Sequence, residues 1–189
     1  MTPLQKTLVT IDALHARDPK TTAGKAHELL YAERMTRWLK RLVPDASEEL
    51  QIAVRSQHLC RWEIPRSDYP TGRTGYLRWR SDLGKMHAEK AMQAMMDNGY
   101  SEVSQKRVYS LVRKLNLKRN RDTQTLEDCA CLVFLEFEFS AFAARHTEDK
   151  LIPIVQKTWA KMSPEAQQEA LGLEFKPDEQ ALLGKALNS

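Results

Sequence analysis

Long amphipathic stretches alternate with short polar breaks along the chain, and this spacing predicts a succession of helices. Thr2 before Pro3 is a good helix start: the hydroxyl can cap free amides, and proline at the first helical position gives up no helical bond. This first helix is expected to run to about His15. After the Asp18-Pro19 break, Thr21 or Thr22 is expected to cap a second helix through Arg41, with Ala26, Leu29, Leu30, Met35, Trp38, Leu39 and Leu42 on one broad apolar face. Pro44 stops it. Ser47, Glu48 and Glu49 open a third helix that Pro65 must end near Glu63, because proline disfavours helical geometry at Ile64.

A loop from Pro65 to Gly72 leads to a long helix from Tyr76 to Asp97, closed by Asn98-Gly99. Ser101 caps the next, to about Leu115. Thr125 is expected to begin a long buried helix through Arg145, since its centre, CLVFLEFEFSAFAA, is apolar nearly all round. Thr147 and Ser163-Pro164 start two more, and the tail after Gly172 has only a weak pattern. The expectation is an all-α, single compact domain over residues 1–189 with about seven to eight helices, without internal repeats or a β-hairpin signal.

Composition changes this picture little. A 42% hydrophobic content in 189 residues is enough to close a core. No stretch approaches the roughly 20 uninterrupted apolar residues of a membrane span, and the opening segment lacks the basic-then-apolar order of a secretory signal. A cytoplasmic protein without a membrane partner is expected. Cys129 and Cys131, two apart on a helix, point in opposed directions, so the three cysteines read as reduced core thiols. The net charge of +4 suits a small phosphorylated ligand or, less well, nucleic acid, and selects neither; nothing fixes the oligomeric state.

The candidate chemistry lies in two groups. His27, His58 and His87 fall in successive helical stretches, and the acidic pair Glu127 and Asp128 follows. Imidazole and carboxylate converging on one point hold a divalent ion such as Mn, Fe or Zn, which makes water nucleophilic near neutral pH. The second group is RWEIPRSDYPTGRTGYLRWR, residues 61–80, rich in arginine and aromatics and free of lysine. Arg61, Arg66 and Arg73 suit two-point binding of phosphate, and Trp62 and Tyr69 suit stacking on a base or ring. In an equally weighted reading these arginines brace the loop and the aromatics fill the core. Lys114, Lys118, Arg119 and Arg121 read as a solvated basic helix end and loop.

The segments KAHELLYAERMTRWL, LQIAVRSQHLCRW, KMHAEKAMQAMMDNGYSEVSQKRVYSLVRKLNL and TLEDCACLVFLE resemble, in order, the histidine-aspartate (HD) metal-dependent phosphohydrolase superfamily. That resemblance implies an HD-like core at about 24–145 with C-terminal helices 147–189 packed on it, and metal ligands His27, His58, His87 and Asp128. It departs from the pattern at Leu59, where the superfamily has aspartate, and at Arg113, near another family histidine. On a continuous helix Glu63, four residues after Leu59, reaches the position of the missing aspartate; otherwise it pairs with Arg61 or Arg66. Glu127 stands as a candidate proton acceptor, or with Asp128 as part of a first helical turn, and Glu136 as a buried partner for a ligand histidine or arginine. HELLYAERMTRWL, QHLCRWEIPR, GYLRWR, QTLEDCACLVFLE and KTWAKMS also identify the chain as a member of the domain-of-unknown-function family 4202, which implies no activity. The expected function is metal-dependent hydrolysis of a small phosphorylated or nucleotide substrate. The alternatives are an iron oxygenase on the same scaffold and a non-catalytic nucleotide- or RNA-binding module with a degenerate metal site.

Overall fold

Thr2 accepts the amide of Gln5 while the Gln5 side chain accepts the amide of Thr2, and this reciprocal cap opens α1 (Pro3–His15) as the sequence predicts. The computed structural model describes residues 1–117 and 119–188. The next helix starts later than expected. Thr21–Thr22 (β1) and Lys25–Ala26 (β2) pair as a minimal antiparallel hairpin, with Thr21 opposite Ala26. Ala23 and Gly24, the two turn residues, both have positive φ (50° and 76°), the backbone a tight hairpin needs. The hairpin consumes both threonines, so α2 (His27–Leu42) begins without a side-chain cap from its own N-cap residue. Asp18 replaces it: one carboxylate oxygen accepts the amide of Glu28 at 3.0 Å and the other that of Lys20 at 2.9 Å.

The third helix corrects the expectation most. Ser47 caps α3 as predicted, but α3 (Glu48–Arg55) ends eight residues short of Glu63. His58 and Cys60 take left-handed backbone angles, φ 61° and 56°, which no α-helix accommodates. Short 3₁₀ turns over Arg61–Glu63 and Arg66–Asp68 then carry the chain into α4 (Gly72–Met96). Asn98 and Gly99 close α4 as expected, and Ser101 caps α5 (Glu102–Val112) by accepting the amide of Ser104. The long helix expected from Thr125 begins at Arg121 as α6 (Arg121–Val133). It widens into a π-helical turn at Phe134–Glu138 and resumes as α7 (Phe139–Ala143). Then come α8 (Glu148–Trp159), α9 (Pro164–Leu171) and α10 (Pro177–Asn188).

The protein is all-α, with ten α-helices among the described residues, more than predicted because the π turn separates α7 from α6 and the tail after Gly172 carries α10. The chain divides into two compact units, Met1–Leu126 and Glu127–Ser189. In the first, α3 and α4 pack against α5, α2 against α3, and α1 against α3 and α4. Ile11, Met35, Leu39, Ile52, Leu59 and Met95 lie fully out of water there. Arg55 ties three of these helices together: it forks onto Asp12 at 2.6 and 2.8 Å, donates to the Thr36 hydroxyl, and offers its carbonyl to His15. In the second unit α8 packs on α10 around Phe139, Leu151, Val155 and Leu182, with Phe134, Phe142 and Phe175 packed on that core.

Candidate functional site

Where the chain leaves α3, the two left-handed residues turn His58 toward the first turn of α2. Non-glycine residues in this conformation are strained, and such strain concentrates at functional sites. His58 stacks on Tyr31, with ring centroids 4.2 Å apart and planes 14° from parallel. Its Nδ1 lies 3.2 Å from Oε2 of Glu28, and its Nε2 lies 3.0 Å from Nη1 of Arg61. Arginine can only donate, so Nε2 is the acceptor and the ring proton is on Nδ1, where it donates to the Glu28 carboxylate. A chain of hydrogen bonds thus runs from Arg61 through His58 to Glu28. The Arg61 guanidinium lies 5.0 Å from the centre of the Trp79 ring, whose indole N–H is held by the Ile64 carbonyl.

His87, from the middle of α4, joins this group with its ring centroid 6.3 Å from that of His58. Its Nδ1–H donates to the carbonyl of Leu59 at 2.6 Å, which leaves Nε2 with its lone pair. Leu59 fills the core with its side chain while its carbonyl fixes the tautomer of His87. Burial pushes the His87 pKa down to about 3, helped by neighbouring His58 and Arg61. Burial and the charge of Arg61 hold His58 well below the usual histidine range. Burial raises the Glu28 carboxyl, against the pull of Arg61. The result is one arginine cation and one buried carboxyl bridged by a neutral imidazole, with a second neutral imidazole beside them.

The other predicted residues are placed as follows. His27 opens α2 but turns to the hairpin, its Nδ1 2.8 Å from the Thr22 hydroxyl and its Nε2 3.4 Å from the Lys20 ammonium. Glu28, one residue on, is the side chain directed inward, at 7% exposure. The premise for Glu63 does not hold, because no helix joins it to Leu59; it is exposed and pairs with Lys90 at 3.0 Å. Arg66 spends both ends of its fork on the carbonyls of Tyr69 and Pro70, which is the bracing role. Tyr69 donates its hydroxyl to Asp82 at 2.8 Å, Arg73 is exposed in the first turn of α4, and Trp62 is half-buried. Lys118 lies outside the described residues.

Glu127 and Asp128 belong to the second unit. They are buried inside α6 rather than in its first turn, which corrects the capping reading. There Asp128 accepts the amide of Ser163 at 2.8 Å, and Glu127 lies 3.5 Å from the Lys161 ammonium. Glu136 is exposed, contrary to the expectation of a buried carboxylate. Among the described residues no three His, Cys, Asp or Glu side chains form a ligand set for a metal ion. As arranged, the ring nitrogens of His58 face Glu28 and Arg61, and those of His27 face Thr22 and Lys20, so these histidines do not fit a metal.

Sequence reasoning missed Glu28, Tyr31 and His15. Glu28 is an acid in the first turn of α2 only because the hairpin moves the start of that helix to His27; a helix begun at Thr21 or Thr22 puts it beyond the first turn. His15 is fully buried, donates Nε2–H to the Arg55 carbonyl, and leaves Nδ1 without a hydrogen-bond partner. No helix among the described residues is long and apolar enough to cross a membrane.

A family model described as "Domain of unknown function (DUF4202)" matches residues 5–183. The chain belongs to this family. Comparison of the DUF4202 chain with curated proteins and with solved structures gives no match. Membership carries no activity with it, so a functional reading rests on the geometry of Glu28, His58, Arg61 and His87.

Proposed function

We propose that this DUF4202 protein binds a small phosphorylated ligand, of nucleotide size or smaller, through Arg61, without needing a metal ion. The observation that supports this most is the state of Arg61. One of its N–H groups is used on His58, its guanidinium carbon lies 5.0 Å over the Trp79 ring centre, and its remaining N–H groups have no protein partner among the described residues. A guanidinium so oriented offers a phosphate two parallel charge-assisted hydrogen bonds with little ordering left to do. Glu28 and His58 position it: the carboxylate fixes the imidazole, and the imidazole lone pair holds the guanidinium. Arg66 braces the same loop by clamping the Tyr69 and Pro70 carbonyls. Nucleic acid is a weaker fit, since one oriented arginine suits a terminal phosphate better than a tracked backbone.

Thermal shift with inorganic phosphate, pyrophosphate and AMP tests the proposal. Ligand that binds only the folded state raises the melting temperature with concentration. Wild type is expected to respond to at least one of the three, Arg61→Ala to none, and Arg61→Lys weakly, because an ammonium keeps the charge and loses the fork. A response of equal size in Arg61→Ala overturns the reading.

A metal-dependent phosphohydrolase, or an iron oxygenase, is the second reading. It is favoured by the approach of His58 and His87 beside Glu28 and by the lone pair that the Leu59 carbonyl leaves on Nε2 of His87. It requires Arg61 to leave Nε2 of His58. Element-resolved metal analysis of protein purified without chelator decides it: stoichiometric Mn, Fe or Zn, lost in His58→Ala and His87→Ala, would replace the first reading with this one.

A further inference from the structure

The second unit contains a cavity of about 370 Å³, within the size range of small-molecule sites. Its walls come from the π turn, α8, the end of α9 and the segment after it, and α10: Leu135, Trp159, Phe175 and Leu183 supply apolar surface. No lysine, arginine, aspartate or glutamate is among its lining residues. Three polar groups on its lining residues have no protein partner among the described residues. They are the indole N–H of Trp159, the side-chain amide of Gln180, and the amide oxygen of Asn188, whose nitrogen is occupied by the Gly184 carbonyl.

Gly184 gives an independent observation. It lies inside α10 and lines the cavity, and a Cβ built on it meets no atom within 4 Å. Its φ is not in the left-handed region, so the backbone does not need glycine here, and glycine in a helix interior is less stable than alanine. Gly184 thus leaves open space at a position that lines the cavity. From the apolar walls, the uncharged lining, the few polar groups and this opening, we propose that the cavity binds a neutral, largely apolar small molecule carrying one or two hydrogen-bonding groups. A charged ligand is disfavoured because no charged side chain in the lining would offset its lost hydration.

The test uses the full chain and N-phenyl-1-naphthylamine, a neutral aromatic probe with one N–H whose emission rises in apolar surroundings. Wild type is expected to bind one equivalent saturably. Gly184→Leu fills the cavity and is expected to weaken binding at least tenfold with the melting temperature maintained. Gly184→Ala is expected to raise the melting temperature and weaken binding less. Gly84→Leu, at a helical glycine of α4 whose Cβ also meets nothing within 4 Å, is the matched control and is expected to bind as wild type. Absent or non-saturating uptake by wild type overturns the proposal, as does undiminished binding in Gly184→Leu. A dimer that Gly184→Leu dissociates, with no probe uptake, also overturns it and assigns the cavity to a second copy of the chain.

Discussion

Three histidines of the first unit have their tautomers set by a partner that can act in only one way: Arg61 for half-buried His58, the Leu59 carbonyl for buried His87 and the Arg55 carbonyl for buried His15. All three have lowered pKa values, so they stay neutral in the fold at pH values where the unfolded chain takes up protons. The unfolded state therefore binds more protons below about pH 6.5, and stability present above that pH is lost as pH falls toward about 3 for His87. Glu28 acts in the opposite sense, its raised carboxyl losing stability as pH rises through its folded value, and offsets part of the effect at acid pH. Denaturant unfolding between pH 7 and 4 is expected to show stability falling with pH, with His87 contributing up to about 1.4 kcal/mol per pH unit. His87→Gln should flatten that slope; an unchanged slope would contradict the assignment. Burial pushes the Cys60 thiol up to about 11, and Cys129 and Cys131 are buried as the sequence predicts. Ellman titration of native protein at pH 8 is expected to find all three thiols unreactive until denaturant is added, and rapid native labelling would contradict the packing.

At the scale of elements, what the sequence made legible was helix starts that rest on a local cap. Thr2, Ser47, Ser101 and Ser163 each accept the amide three residues on, as their spacing predicts. The failures lie where a distant group or backbone strain decides. Asp18, nine residues before His27, caps α2, and no local rule places it there. The end of α3 is set by left-handed angles at His58 and Cys60, residues whose types give no warning. For the same reason the Glu28–His58–Arg61 chain is only partly legible in the sequence: His58, His87 and Arg61 stand out by chemistry, whereas the place of Glu28 depends on the hairpin that resets the start of α2. Asp18→Ala should cost about 2 kcal/mol, since a charge-assisted bond at the start of α2 and a second one to the Lys20 amide are lost together. Gly75→Ala should be more damaging than a surface change, because its Cβ would fall 1.9 Å from the Pro70 carbonyl oxygen and force apart the loop that Arg66 clamps. Urea titration of both variants checks this, and unchanged midpoints would contradict the two contacts.

For the molecule as a whole, apolar periodicity was sufficient to predict an all-α protein, because the core faces of α2, α3 and α5 are written at helical spacing. It was insufficient for α10, whose polar start and modest apolar stripe acquire their meaning only from packing on α8 and Phe139. Function was less legible than fold, since the histidine spacing suggests a metal while the geometry places Arg61 on the imidazole nitrogen a metal would take. The most direct test is isothermal titration of pyrophosphate, AMP and inorganic phosphate into the full chain in the presence of EDTA, with wild type and Arg61→Ala side by side. The account predicts that wild type binds at least one of them with the chelator present and that Arg61→Ala loses at least tenfold in affinity. Binding that vanishes with EDTA and returns with added metal, or that is indifferent to Arg61, would contradict it.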